Sequence, residues 1–190
     1  MARWVEAERR AQIVAAGALL ARRGLIRAAE GNLSCRLDDG RALLTPRGAD
    51  KGRLDGGTLV VCAVCGPPPA EASSEALTHL ETYRRQPGIG ALVHAHPEAL
   101  LVLDSWGRLP APSDLKEGEL LVGKIARVPV LPPGSLELAV ACAQALGRAP
   151  VVVMARHGAL AAGADLDQAV ARLEAAELLA RVALARPGTR

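Results

Sequence analysis

Residues 33–45 constrain what this chain can fold into more than any other stretch. Leu33, Cys35 and Leu37 alternate with polar residues, Asp39-Gly40 follows, and residues 42–45 resume an extended pattern, which predicts two strands joined by a tight turn. A hairpin this early removes the strict strand-helix alternation that a doubly wound parallel sheet demands. The expected fold class is therefore α/β, with a sheet of mostly hairpin-connected strands flanked by helices.

The helices announce themselves by their ends. Residues 3–23 are helix formers throughout, with Arg22 and Arg23 complementing the dipole and Gly24 free to close the helix in a left-handed turn. A second helix starts from Ser73 or Ser74 as N-cap, carries Leu77, Leu80 and Arg84 at helical spacing, and stops at Pro87-Gly88. Ser135 caps a third that runs to Leu146. Asp165 and Gln168 make a capping box for the last, over residues 166–185, with Leu166, Ala169, Val170, Leu173, Ala176 and Ala180 as its apolar stripe.

Further strands are predicted over residues 58–64, as a buried run, and over 89–96, 127–131 and 151–154. Gly66-Pro67-Pro68-Pro69 cannot continue in a sheet and forces a loop that delivers Ser73 and Ser74. Pro97 suits the first turn of a helix after residue 96, where its missing N–H costs nothing. Residues 106–133 are rich in Pro and Gly and only weakly periodic.

At 190 residues, 1–190 is expected to form a single domain. Half of the residues are hydrophobic, but only 2% are aromatic and Phe is absent, so the core must be built from Ala, Leu and Val. Recognition of a substrate by ring stacking is not expected. The formal charge of +3 is spread along the chain without a basic stripe, which argues against nucleic acid as a partner. The first ten residues are charged where a signal peptide is apolar, and no apolar run approaches the ~18 residues that span a bilayer, so a cytoplasmic protein with no membrane partner is expected. Cys62 and Cys65 lack the second pair that completes a zinc site and read as a buried strand pair.

His94-Ala95-His96 closes the predicted strand 89–96, with the two imidazoles on one face and Cα atoms roughly 6.5 Å apart, within reach of one ion. Arg156-His157-Gly158 places a third imidazole at the end of strand 151–154, beside a glycine that permits close backbone approach. On the residues alone, a zinc site with one open position and a set of structural histidines both fit. Glu75 opens the second helix, where the dipole favours its ionised form and a role as ligand or base, or simply a first-turn glutamate. His79 shares its helical face and is expected to be structural. Gly31-Asn32, Thr45-Pro46-Arg47-Gly48 and Ser73-Ser74 are loop segments able to present amides, hydroxyls and a guanidinium to an oxyanion, although each alone also fits an ordinary turn.

Taken in order, Gly31-Asn32-Leu33-Ser34, Thr45-Pro46-Arg47-Gly48, Ser73-Ser74-Glu75, Ile89-Gly90-Ala91-Leu92-Val93-His94-Ala95-His96 and His157-Gly158 resemble the class II aldolase and adducin family over roughly residues 5–185. Within it the chain is most similar to L-fuculose 1-phosphate aldolases. The resemblance implies a three-layer fold with a central, mainly antiparallel sheet and a cyclic homotetramer with active sites near subunit interfaces. It implies zinc, or another divalent metal, held by His94, His96 and His157, with Glu75 completing the site and then acting as base. Gly31, Asn32, Arg47, Gly48, Ser73 and Ser74 would enclose the substrate phosphate.

The implied reaction is cleavage of a ketose 1-phosphate to dihydroxyacetone phosphate and an aldehyde through a metal-stabilised enediolate. Ribulose-phosphate epimerases and methylthioribulose-phosphate dehydratases share the fold, as do adducin-like interaction modules that lack the chemistry. Three departures stand out. Arg47 replaces a small hydroxyl residue, and the lone tyrosine, Tyr83, lies mid-helix, leaving the aldehyde-side proton donor unassigned. Little sequence follows residue 185 to form a tail over the site, so a broad aldehyde range is expected.

Overall fold

The computed structural model describes residues 2–38 and 40–186. Its elements in chain order are α1 (Ala2–Arg22), β1 (Asn32–Arg36), β2 (Arg41–Leu44), β3 (Val60–Ala63), α2 (Ala76–Arg85), β4 (Ala91–Ala95), α3 (Glu98–Ser105), β5 (Ile125–Val128), α4 (Leu136–Leu146), β6 (Val151–Met154), β7 (Gly158–Gly163) and α5 (Leu166–Ala185). Among the described residues, the strands form one seven-stranded sheet in the order β3-β2-β1-β4-β7-β6-β5. Every neighbouring pair is antiparallel except β5 with β6, which are connected through α4.

Alternation along the strands sorts the core into two layers. Leu33, Cys35, Leu43, Val93 and Ala161 pack with α1, α3 and α5, whereas Leu44, Leu92, Val152 and Leu160 pack with α2 and α4. Leu92 and Leu160 are fully buried, and each such side chain contributes about 2 kcal/mol relative to exposure. The result is a three-layer α/β fold with a mainly antiparallel central sheet. Among the described residues no helix is long and apolar enough to cross a membrane.

The predicted hairpin is present as β1 and β2, with Ser34 opposite Leu44; Asp39 of its turn lies outside the described residues. Gly24 closes α1 at φ +71°. Ser135 Oγ accepts from Leu138 N at 3.1 Å, and Asp165 Oδ1 accepts from Gln168 N at 2.8 Å, as their positions predict. The Gln168 carbonyl oxygen closes its side of the box one residue early, accepting from Ala164 N.

Five expectations are corrected. β3 is a short edge strand rather than a buried run over 58–64, so Cys62 is buried but Cys65 is exposed. β5 covers Ile125–Val128 rather than 127–131, ending before Pro129, which has no N–H for the ladder. β4 stops at Ala95, so His94 lies within the strand and His96 just beyond it. Pro97 occupies the N-cap of α3 with extended backbone and no side-chain cap; the buried Glu177 carboxylate reaches across from α5 instead, accepting from Ala99 N and Leu100 N at 3.2 and 3.1 Å. Finally, β7 has no counterpart among the predicted strands. Its Gly-Ala-Leu-Ala-Ala-Gly holds no β-branched or aromatic residue, yet it is buried between β4 and β6, where only small side chains let α5 come close.

Candidate functional site

Three strand-linked positions converge on the face of the sheet that carries α2 and α4. His94 is buried on β4, paired in register with Asn32 of β1 and Leu160 of β7. His96 follows the strand, and His157 sits in the turn between β6 and β7. The ring centroids of His94 lie 5.0 Å from those of both His96 and His157, and the latter two are 5.7 Å apart.

This closeness needs Gly158. A β-carbon there would stand 2.6 Å from His94 Cε1, 2.7 Å from His96 Cδ2 and 2.7 Å from the Ala95 carbonyl oxygen. The residue before His157 is also unusual, since Arg156 adopts φ +59° with a full side chain. It is pinned by Asp104 of α3, a buried carboxylate that accepts from Arg156 N at 2.9 Å and from Arg127 Nε at 2.6 Å. The close approach at Gly158 was expected from sequence, but the role of Asp104 was not legible there, because it lies within a helix 52 residues from Arg156.

His94 Nδ1 donates to the Ala159 carbonyl at 2.9 Å, which leaves Nε2 as the nitrogen turned toward Glu75. That Nε2, together with His96 Nε2 and His157 Nδ1, is buried without a hydrogen-bond partner. One nitrogen from each of the three rings lies within 4.8 Å of the others. Nitrogens buried without a partner are costly, and a cation where the three rings meet would relieve that cost at those facing it; at His157 the nitrogen beside Glu75 is Nε2 rather than the partnerless Nδ1. The donor set therefore fits a divalent metal, and three imidazoles plus a carboxylate suit zinc.

Glu75 supplies the carboxylate. Its Oε1 lies 3.3 Å from His157 Nε2 and 3.5 Å from His94 Nε2. Burial pushes its pKa up, but the two histidines outweigh this and hold the carboxyl well below the usual carboxylate range. Glu75 occupies the N-cap position of α2 rather than its first turn, and its side chain makes no cap bond because it is turned to the imidazoles. Ser73, predicted as a possible N-cap, instead accepts from Glu75 N at 3.3 Å. His96, by contrast, is pushed down to about 4 by burial and by the neighbouring His94, so its ring is neutral and available as a ligand near neutral pH.

The predicted oxyanion loops lie side by side next to this cluster. Thr45 N donates to the Leu33 carbonyl at 3.0 Å and Leu33 N to Thr45 Oγ1 at 3.2 Å; Ser73 N reaches the Thr45 carbonyl at 3.1 Å and Arg47 N the Glu71 carbonyl at 2.8 Å. Gly31 and Gly48 are both left-handed, and a β-carbon on Gly31 would meet the His94 carbonyl at 2.5 Å. Arg47, Gly48 and Ser74 are exposed. Sequence reasoning missed Lys51, whose buried ammonium donates to the Ala29 and Ala49 carbonyls at 2.9 and 2.7 Å and so ties the loop before Gly31 to the loop after Gly48. A lone lysine in a polar loop carries no signal of this. Tyr83 is buried with its hydroxyl 2.7 Å from Ser34 Oγ, so it does not present an acid at the site.

Known proteins share this fold. Residues 11–184 match the family model described as class II aldolase and adducin N-terminal domain. The chain is 35% identical to a methylthioribulose-1-phosphate dehydratase of Gluconobacter oxydans, covering 92% of this chain and 90% of that protein. It is 32% identical to a 3-oxo-tetronate 4-phosphate decarboxylase of Pectobacterium atrosepticum, over 93% and 84% of the two chains. Among solved structures, L-fuculose-1-phosphate aldolase from Thermus thermophilus superposes with a TM-score of 0.86 at 31% identity, covering 94% of this chain and 93% of that one. With the match running through nearly every element that builds the histidine cluster, the chain belongs to the class II aldolase and adducin family, whose similar members here are enzymes.

Proposed function

We propose that this chain is a metal-dependent aldolase that cleaves a small ketose 1-phosphate, of the L-fuculose 1-phosphate kind, to dihydroxyacetone phosphate and an aldehyde. The observation that carries the reading is the convergence of His94, His96 and His157 on one point with the Glu75 carboxylate 3.3 to 3.5 Å from two of them. His94, His96 and His157 would hold a divalent cation, zinc first, with Glu75 completing the set. When bound, that cation supplies a Lewis acid where negative charge develops on a carbonyl oxygen.

The protein's own groups do the rest. Glu75, ionised because of its two histidine neighbours, carries the proton at the carbon of the triose phosphate fragment where the bond breaks. Asn32, Gly31, Gly48, Ser73 and Ser74 hold the phosphate through amide and hydroxyl donors, and Arg47 adds positive charge at the exposed rim. The assembly that goes with this reading is a homotetramer with sites near subunit interfaces, in the cytoplasm.

A second reading is loss of water from methylthioribulose 1-phosphate. It is favoured by the 35% identity to a dehydratase and by the burial of Tyr83, since water loss needs no group on an aldehyde oxygen. Both readings use the same proton carrier and the same phosphate loops, because the fold fixes the site and not the outcome.

Product analysis decides between them. Chelated protein is incubated with L-fuculose 1-phosphate, methylthioribulose 1-phosphate or ribulose 5-phosphate, with and without added zinc. Zinc-restored dihydroxyacetone phosphate from the first supports the aldolase, whereas turnover confined to either of the others overturns it in favour of a dehydratase or an epimerase. A folded protein that binds no ion and turns over none of the three is an interaction module.

A further inference from the structure

Beneath the phosphate loops runs a chain of four buried polar side chains, of which only Asn32 has been given a role. Tyr83 OH lies 2.7 Å from Ser34 Oγ, Ser34 Oγ lies 2.6 Å from His79 Nδ1, and His79 Nε2 contacts Asn32 Oδ1. Ser34, His79 and Tyr83 are all at most 1% exposed and Asn32 is 4% exposed. Water does not reach Tyr83, Ser34 or His79, so the hydrogens of these three must find acceptors along the chain.

Counting those hydrogens gives the chain a direction. If Tyr83 O–H donates to Ser34, Ser34 O–H donates to His79 Nδ1 and His79 Nε2–H donates to the Asn32 carbonyl oxygen, all three are paired. If the Asn32 amide is turned so that its NH2 donates to His79 Nε2, then His79 Nδ1–H donates to Ser34, and either the Ser34 or the Tyr83 hydrogen is left buried with no acceptor. Only the first direction is complete. Burial, seconded by the nearby His94, pushes His79 down to about 3, consistent with a neutral ring that has one donor and one acceptor.

In that direction the free end is Asn32 Nδ2, which donates to no described residue and is not among the sealed, partnerless atoms. Asn32 stands directly opposite His94 in the sheet register, beside the candidate metal centre. We propose that Tyr83, Ser34 and His79 form a one-way hydrogen-bond wire that fixes the Asn32 amide with its NH2 group facing the substrate's phosphate. This makes His79 a positioning residue and rests on the reading of these loops as the phosphate site. It also gives the only tyrosine a function on the side of the site away from the reaction, as the donor that sets the wire's polarity.

The test has two parts. Long-range 1H–15N correlation on the zinc-loaded, histidine-labelled full chain reads the His79 tautomer directly, with His79→Gln to assign its signals. The Nε2–H form is expected; Nδ1–H overturns the proposal without reference to any substrate. Inorganic phosphate is then titrated into the wild type and Tyr83→Phe, with His79→Leu included if it folds. Dissociation constants should rise about fivefold in Tyr83→Phe, the size expected for a hydrogen bond's loss passed on to the ligand. Unchanged affinity in the variant, with normal binding by the wild type, sinks the wire alone. Absence of phosphate binding by the wild type sinks the phosphate reading of the loops and this role with it.

Discussion

Gly158 lies so close to His94 that a β-carbon on it would stand 2.6 Å from the imidazole Cε1. Because the same carbon would meet the Ala95 carbonyl at 2.7 Å, the strain cannot be relieved by swinging a side chain. Gly158→Ala is therefore expected to cost about 1–3 kcal/mol of stability and to spread the three imidazoles. Thermal unfolding and zinc content after dialysis against a weak chelator measure both. Full zinc retention would mean that the backbone yields more than this packing allows.

Asp104 acts on the site through Arg156. Removing its carboxylate in Asp104→Ala leaves Arg156 N without its acceptor in a left-handed conformation, while Arg127, partly exposed, can turn to water. A loss of roughly 10- to 100-fold in metal affinity is expected, as for other groups that orient a ligand from behind. Metal titration by calorimetry reads it. Unaltered affinity would show that His157 is held without Asp104.

Glu75→Gln keeps the shape of the site and removes the charge. Substrate should still bind, with KM little changed, while kcat falls by about 10²- to 10⁴-fold, the usual contribution of a positioned general base. Steady-state kinetics on whichever substrate turns over gives the answer. Wild-type kcat in the variant would take Glu75 out of the proton-carrying role.

Arg47 is exposed on its loop, and among the described residues its side chain has no hydrogen-bond or ion-pair partner. Arg47→Ser should raise KM several-fold at low ionic strength, with kcat kept, and the difference should shrink as salt screens the charge over about 10 Å. A KM identical to wild type at every salt concentration would place the guanidinium away from the phosphate.

Acid should destabilise the chelated protein through His79. Burial, and then the nearby His94, hold its folded-state pKa at about 3 against an ordinary 6.5, so between these values the unfolded chain binds the additional proton. The stability tied to the neutral ring is complete above pH 6.5 and drains away as pH falls toward 3. On the order of a few kcal/mol is at stake, since each unit is worth about 1.4 kcal/mol. Urea midpoints near neutral and mildly acidic pH should diverge less in His79→Gln than in wild type; equal divergence would assign the acid step to other groups.

Local chemistry made much of this molecule readable. The hairpin of β1 and β2, the caps at Ser135 and Asp165 and the left-handed stop at Gly24 depend on neighbours a few residues away, and those neighbours are in the sequence. His94, His96, His157 and Glu75 were legible as a set because their motifs are short and ordered. What the sequence by itself determined was thus the family, the α/β class and the identity of the cluster.

Only the tertiary structure decided the rest. β7 is a strand because β4 and β6 hold its backbone hydrogen bonds and α5 needs its small residues, which outweighs the weak preference of alanine and glycine. Glu75 sits ahead of α2 rather than in it, since its carboxylate turns to two histidines brought from positions 19 and 82 residues further along the chain. Lys51, Asp104 and the wire from Tyr83 to Asn32 act across long separations, through burial that leaves each polar atom only one place to go. Such constraints exist only once the chain has closed around them, because in the open chain water satisfies every one of those groups.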